Sequence, residues 1–178
     1  MSDSFDRREA EARFSRVFSQ LGAVAAYARR RGSLDADAVA AEVMTIAWRR
    51  LADVPVDDPR PWLYATARNL VLADTRRRLQ QAAGDAGDHA AAADGPGLLE
   101  LDPVLGVALR SLSDLDREAL LLVAWEDLTP TQAARSLGIS PVAFRVRLLR
   151  ARRRMQTKLE EAGGEMAAAA PNLDLETT

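Results

Sequence analysis

Cysteine is absent from the 178 residues, and histidine appears once, at His89. Without cysteine there is no disulfide framework, no thiol nucleophile and no Cys-based zinc site. The lone histidine has no companion with which to complete a metal shell. Neither a Ser/His/Asp set nor a glycine-rich phosphate loop is present, and catalysis needs such groups converging on one site. The chain therefore reads as a non-enzyme with no catalytic residue, no cofactor and no metal. No apolar run approaches the ~20 residues of a membrane span. The N-terminal stretch MSDSFDRREAEARF carries charges where a signal peptide has its apolar segment. These absences point to a cytoplasmic chain without membrane insertion. Aromatic residues make up only 5%, whereas hydrophobic residues reach 48% and are mostly Ala, Leu and Val. That balance, with proline and glycine bunched in a few places, points to an all-α fold.

The net charge of −2 hides a polarised layout. Residues 59–79 carry five arginines against Asp74, and residues 141–159 carry seven cations and no acid. Residues 80–103 carry only acids, Asp85, Asp88, Asp94, Glu100 and Asp102, and the last nineteen residues add five more. Local potential, not net charge, decides whether a surface attracts phosphate. Two basic patches separated by an acidic spacer thus fit a nucleic-acid partner.

The richest stretch is LTPTQAARSLGISPVAFRVRLLRARRRM, Leu128 to Met155. Thr129 can cap a helix that starts on Pro130, and Gln132 stands where a capping box is closed. Gly138 suits the positive φ that ends a helix. Ser140 and Pro141 then repeat the cap-and-proline start. In the second helix Phe144, Leu148, Ala151, Met155 and Leu159 recur at spacings of three or four, which predicts one buried face. The rest of that helix is cationic. A helix that is merely solubilising carries acids for i,i+4 pairing, and none occurs here. Two short helices, a tight turn and a basic second helix form the pattern of a helix-turn-helix.

A break runs through residues 80–103, QQAAGDAGDHAAAADGPGLLELDP, whose Ala, Gly and Asp lack apolar periodicity and read as a flexible acidic linker. It divides a helical domain at 5–79 from a second at 104–161, and 162–178 reads as a mobile tail. In the first domain a helical pattern through Phe14, Val17, Phe18, Leu21, Val24, Ala25 and Ala28 runs to Gly32. A second helix is expected over 35–51 and a third over 62–79, with the proline-stiffened loop DVPVDDPRP between them. Trp48 and Trp62 fit core positions. In the second domain Ser113 can cap a helix whose Leu115, Ala119, Leu122, Val123 and Leu128 pack beneath the helix-turn-helix.

The stretch LSDLDREALLLVAWEDLTPTQAARSLGISPVAFRVRLLRARRRM resembles the promoter-reading region four of the extracytoplasmic-function sigma factors, small members of the bacterial primary-sigma family. ADAVAAEVMTIAWRRL followed by PWLYATARNLVLADTRRR resembles their region two. The resemblance implies an alternative sigma factor that binds core RNA polymerase, through the clamp of its largest subunit and the flap of its second, and directs transcription from specific promoters. By that resemblance the second helix of region four enters the major groove of the upstream (−35) element. Arg145 and Arg150 are then candidates for guanine edges, Val142, Val146 and Leu149 for apolar base contacts, and Arg147 and Arg152 for phosphate. The loop 53–61 would capture an unstacked base of the downstream (−10) single strand, with Asp57, Arg60, Arg68 and Asn69 nearby and Arg76, Arg77 and Arg78 on its backbone.

At the polymerase-facing surface the family commonly has an acid and then a Gln–Glu pair, and this chain has Ala38, Ala41 and Glu42. Only Glu42 matches, so Asp35 and Asp37 become the other candidates for the polymerase contact. An anti-sigma factor is a further partner the resemblance implies. Two other readings share the helix-turn-helix. One is a stand-alone transcriptional regulator whose first domain dimerises or senses, and the other is a helical adaptor that binds only proteins. The second basic patch, at the end of PWLYATARNLVLADTRRR, argues against a sensor domain, and salt-dependent DNA binding would exclude the adaptor.

Overall fold

The computed structural model describes residues 2–84 and 103–169, so the expectations for His89, for the linker over 85–102 and for the tail over 170–178 lie outside the described residues. Among the described residues every regular element is helical: α1 (Ser2–Phe18), α2 (Leu21–Arg30), α3 (Ala36–Arg49), a short 3-10 turn (Leu51–Asp53), α4 (Arg60–Gly84), α5 (Pro103–Arg110), α6 (Asp114–Ala124), α7 (Pro130–Leu137) and α8 (Pro141–Ala169). The pattern expected as one helix up to Gly32 is broken at Ser19 and Gln20. There the Ser19 hydroxyl donates to the Arg16 carbonyl at 2.7 Å and the Gln20 amide to the Val17 carbonyl at 3.0 Å. A serine side chain competes in this way for carbonyls that the next helical turn would use. α5 has no counterpart in the sequence reading, and both α4 and α8 extend past the boundaries expected for them.

Helix ends follow local chemistry. Asp35 caps α3 by accepting the Ala38 amide at 2.9 Å, and Ser113 caps α6 through the Asp116 amide at 3.3 Å. α2 and α7 both close with a left-handed glycine, Gly32 (φ 83°) and Gly138 (φ 66°), each followed by an amide that bonds five residues back. No atom lies within 4 Å of where a Cβ on Gly138 would stand. Gly138→Ala should therefore cost about 1–2 kcal/mol from backbone conformation alone, read as a shift in the urea midpoint with an unchanged slope.

The helices before and after the undescribed interval pack on one another. α2 lies on α3, α4 crosses both, and α7 sits on α4. One apolar cluster accordingly runs from Val24, Val43 and Leu63 through Leu122, Leu128 and Ala133 to Phe144. Four residues expected in the core are exposed instead: Phe18, Trp48, Leu115 and Leu159. Trp48 follows Ala47, which takes the inward position of that turn, and its ring meets Phe14 edge-on at 5.0 Å on the outer surface. Leu115 yields the inward phase of α6 to Asp116 and Glu118, both buried. Leu159 lies one turn beyond Met155, which packs against the apolar cluster of α5 and α6.

Candidate nucleic-acid interface

The helix-turn-helix forms as its residues dictate. Thr129 accepts the Gln132 amide at 3.3 Å while the Gln132 side chain accepts the Thr129 amide at 2.8 Å, a complete capping box, with Pro130 in the first turn. Ser140 caps α8 through the Ala143 amide at 3.1 Å. Phe144, Leu148 and Ala151 are buried, and Met155 is half-buried. Burial of that row turns Val142, Arg145, Val146, Leu149, Arg150 and Arg152 outward, with Val142 67% exposed. An exposed apolar row among arginines costs free energy in water and suits a surface that meets base edges and thymine methyls.

Arg147, a candidate phosphate contact, is tied to the fold. Its Nη1 donates to Asp116 Oδ1 at 2.9 Å, and Arg154 donates to the other oxygen of the same carboxylate. Asp116, Arg147, Arg150 and Arg154 border a cleft of about 440 Å³ together with Ser113, Ala143 and Val146. From the sequence Asp116 suits the positive end of the helix that Ser113 caps, but its role as a partner for α8 does not show there. The signal that could have found it is the Ser113 cap, which fixes the phase of α6.

The loop before α4 is anchored by buried Val54, whose carbonyl accepts from Arg13 Nη2 at 2.6 Å. Val56 and Asp57 remain exposed. Beside them is a pocket of about 340 Å³ whose wall combines Pro55, Asp57 and Pro59 with Arg13, Arg16 and Gln20 of the N-terminal region. Sequence separation of some forty residues hid those partners. Asp58 accepts from Arg60 at 3.4 Å and from the Gln132 side chain at 2.5 Å, which ties this loop to the first helix of the helix-turn-helix. Along α4 the candidate residues do not form one cluster. Arg60 and Arg76 are separated by about 24 Å of helix axis at 1.5 Å per residue. Asn69, Arg76 and Arg77 are exposed, whereas Arg68 is half-buried and its charge acts on the Tyr27 phenol. Arg78 turns back to Asp74 at 3.1 Å and to the Gly32 carbonyl at 3.5 Å.

On α3, Asp37, Ala38, Ala41, Glu42 and Trp48 are exposed along one side. Asp35 is engaged as the helix cap, and Asp37 lies 3.7 Å from Arg29. Glu42 has no ion-pair partner among the described residues.

A buried polar cluster joins the two halves. Glu118 accepts from the Tyr27 hydroxyl at 2.8 Å and from Arg31 Nε at 2.8 Å, and Glu126 accepts from Arg31 at 3.0 Å and Arg30 at 2.7 Å. The Arg31 guanidinium lies 3.5 Å over the Tyr27 ring, which stacks on Tyr64 at 4.8 Å. Burial alone would lower the Arg31 pKa, but the Glu118 and Glu126 carboxylates outweigh it and raise the net value. Burial also raises both phenols, Tyr64 to about 12. The sequence assigns none of these six residues, because the charged partners lie about ninety positions apart.

Among the described residues no group of His, Cys, Asp and Glu can hold a metal ion, and no helix is long and apolar enough to cross a membrane. Residues 104–155 match the family "Sigma-70, region 4". The chain is similar in structure to CnrH, solved in complex with the cytosolic domain of CnrY. That likeness has a TM-score of 0.57 at 26% identity and covers 83% of this chain and 88% of that one. It is also similar to the sigma factor RpoE from Bartonella quintana, solved in complex with the anti-sigma factor NepR. There the TM-score is 0.61 at 23% identity, with coverage of 82% and 95%, and at that identity the fold alone is shared. Comparison with curated proteins finds no match.

Proposed function

We propose a working mechanism for this chain, which is a sigma factor of the extracytoplasmic-function group and directs transcription initiation from selected promoters. The carrying observation is the free outward face of α8 in a region-four module that shares one chain with a second, basic helical module. In this reading Val142, Arg145, Val146, Leu149 and Arg150 face base edges of the −35 element in the major groove, with Arg147 and Arg152 on phosphate. The loop beside the 340 Å³ pocket takes an unstacked base of the −10 strand. Asp57, Arg60, Arg68 and Asn69 serve around it, joined by Arg13 and Arg16. Arg76 and Arg77 follow the strand's phosphates, and Arg78 joins them only by giving up its bonds within the fold.

The outer side of α3, with Glu42 at its centre and Asp35 and Asp37 at its start, meets the clamp of core polymerase, and region four meets the flap. The domains are taken as 5–79 and 104–161, with residues between and after serving as linker and tail. The protein acts in the cytoplasm by recruitment, without catalysis or cofactor. An anti-sigma factor is a fitting partner, since both structural relatives were solved with a bound regulator or cytosolic partner domain.

Run-off transcription from genomic promoter fragments, with core polymerase and with or without this chain, tests the reading. Promoter-specific transcripts that depend on the chain are the expected result. Glu42→Ala should compete for core polymerase at least about tenfold less well than the parent against another sigma factor, the loss of one charge-assisted contact. If the chain binds promoter DNA unaided and yields no such transcripts, a stand-alone regulator is the better reading.

A further inference from the structure

We propose that Asp116 is a positioning residue for DNA recognition: it holds Arg147 and Arg154 as a fixed pair aimed at the sugar-phosphate backbone and keeps them away from the base edges. The proposal rests on the −35 reading of α8 above. Asp116 is almost fully buried, its side chain 6% exposed, while the two arginine side chains are 34% and 61% exposed. One buried carboxylate thus reaches out to two surface guanidinium groups, one oxygen to each.

Arg147 and Arg154 stand seven residues apart, two turns along the same side of α8. At about 100° per residue they lie some 120–180° around the helix from Val142 and Arg145. When the exposed row of α8 points into a groove, these two face its flank, where the phosphates run. Each guanidinium has five N–H donors and gives Asp116 only one or two of them, so donors remain for a phosphate. Two cations on one anion leave the trio with a net positive charge, so the site still attracts DNA. Arg150 borders the same cleft and has no ion pair among the described residues, which leaves it free to turn toward the bases. Untethered, Arg147 and Arg154 would be two long, flexible cations able to pair with any phosphate at any register.

The test uses the full chain with core polymerase. Two duplexes serve as probes: one enriched by that complex from a randomised pool, and a shuffled duplex of the same composition. Asp116→Asn keeps the shape and removes the charge. It should raise affinity for the shuffled duplex about 3- to 10-fold, steepen its log–log salt slope by about 0.9 for one added phosphate contact, and cut discrimination about tenfold. Asp114→Asn makes the same change of net charge one turn position away. Asp114 is 86% exposed and 3.7 Å from Arg117, so that variant should shift both affinities less than about twofold. If Asp116→Asn weakens both duplexes equally, or leaves discrimination intact, Asp116 merely supports the fold and the proposal fails. Arg154→Gln, at an exposed position, keeps the question open to measurement should Asp116→Asn not fold. Equal losses on both duplexes with a slope shallower by about 0.9 are expected, and a loss confined to the enriched duplex overturns the proposal. A parent complex that does not discriminate the duplexes overturns the −35 reading together with this one, whereas a discriminating parent and an equally discriminating Asp116→Asn overturn this one alone.

Discussion

Glu118→Ala is expected to lower the unfolding free energy by about 3–5 kcal/mol, the cost of leaving a buried charge without its partner. Arg31 would keep Glu126, but its Nε and the Tyr27 hydroxyl would both lose their acceptor. Water cannot replace the carboxylate easily, since the side chains of Arg31 and Glu118 are 8% and 9% exposed. Arg31→Met alone should cost a similar amount by stranding Glu118. The double change Arg31→Met with Glu118→Leu should recover much of the loss, because an apolar pair of similar volume carries no desolvation penalty. Urea unfolding of the parent, Arg31→Met, Glu118→Leu and the double variant closes a cycle that gives the coupling energy directly. These residues lie in different halves of the chain, so the same cycle reports whether the halves are packed in solution. If the halves are apart in solution, both groups are solvated and each single change stays within about 0.5 kcal/mol.

Much of the second half was legible because its signals are local. Thr129, Pro130, Gln132, Gly138, Ser140 and Pro141 each act on a neighbour within five residues, and all serve as caps or turn as read. Phe144, Leu148 and Ala151 lie at helical spacing and are buried as expected. Legibility failed where a residue's role depends on a distant partner. Periodicity placed Leu115 inside, yet Asp116 is buried because arginines from α8, more than thirty positions on, satisfy its charge. Helical spacing among apolar neighbours puts Trp48 and Phe18 in the core, yet the inward phase of their turns belongs to Ala47 and Val17. The division into two basic patches and an acidic spacer was visible from charge. The polar seam between the halves was not, since Arg30 and Arg31 look like ordinary cations at a helix end until Glu126 and Glu118 are placed beside them. Arg13 and Arg16 were missed at the loop pocket for the same reason.

The phenols in that seam give a second large effect, one that pH reveals. The chain has only two tyrosines, Tyr27 and Tyr64. Burial raises both above the ordinary value of about 10, with Tyr64 pushed up to about 12 and Tyr27 raised further by the negative Glu118 that accepts its hydroxyl, against the opposing charge of Arg31. Below pH about 10 the phenols are neutral in both the folded and the unfolded chain, and their contribution to stability is complete. Between about 10 and 12 the unfolded chain releases its phenolic protons first while the folded chain keeps them, so stability falls as pH rises through this window. Absorbance at 295 nm, which follows phenolate, should therefore stay flat through pH 10 and then rise in one step together with the loss of helical circular dichroism. Tyr64→Phe removes one of the two phenols while keeping the ring that stacks on Tyr27, so the step should halve in amplitude and move to higher pH. Two phenols that titrate near pH 10 while helicity is intact would mean the seam is open to water, and with it the packing of α2 and α4 against α6.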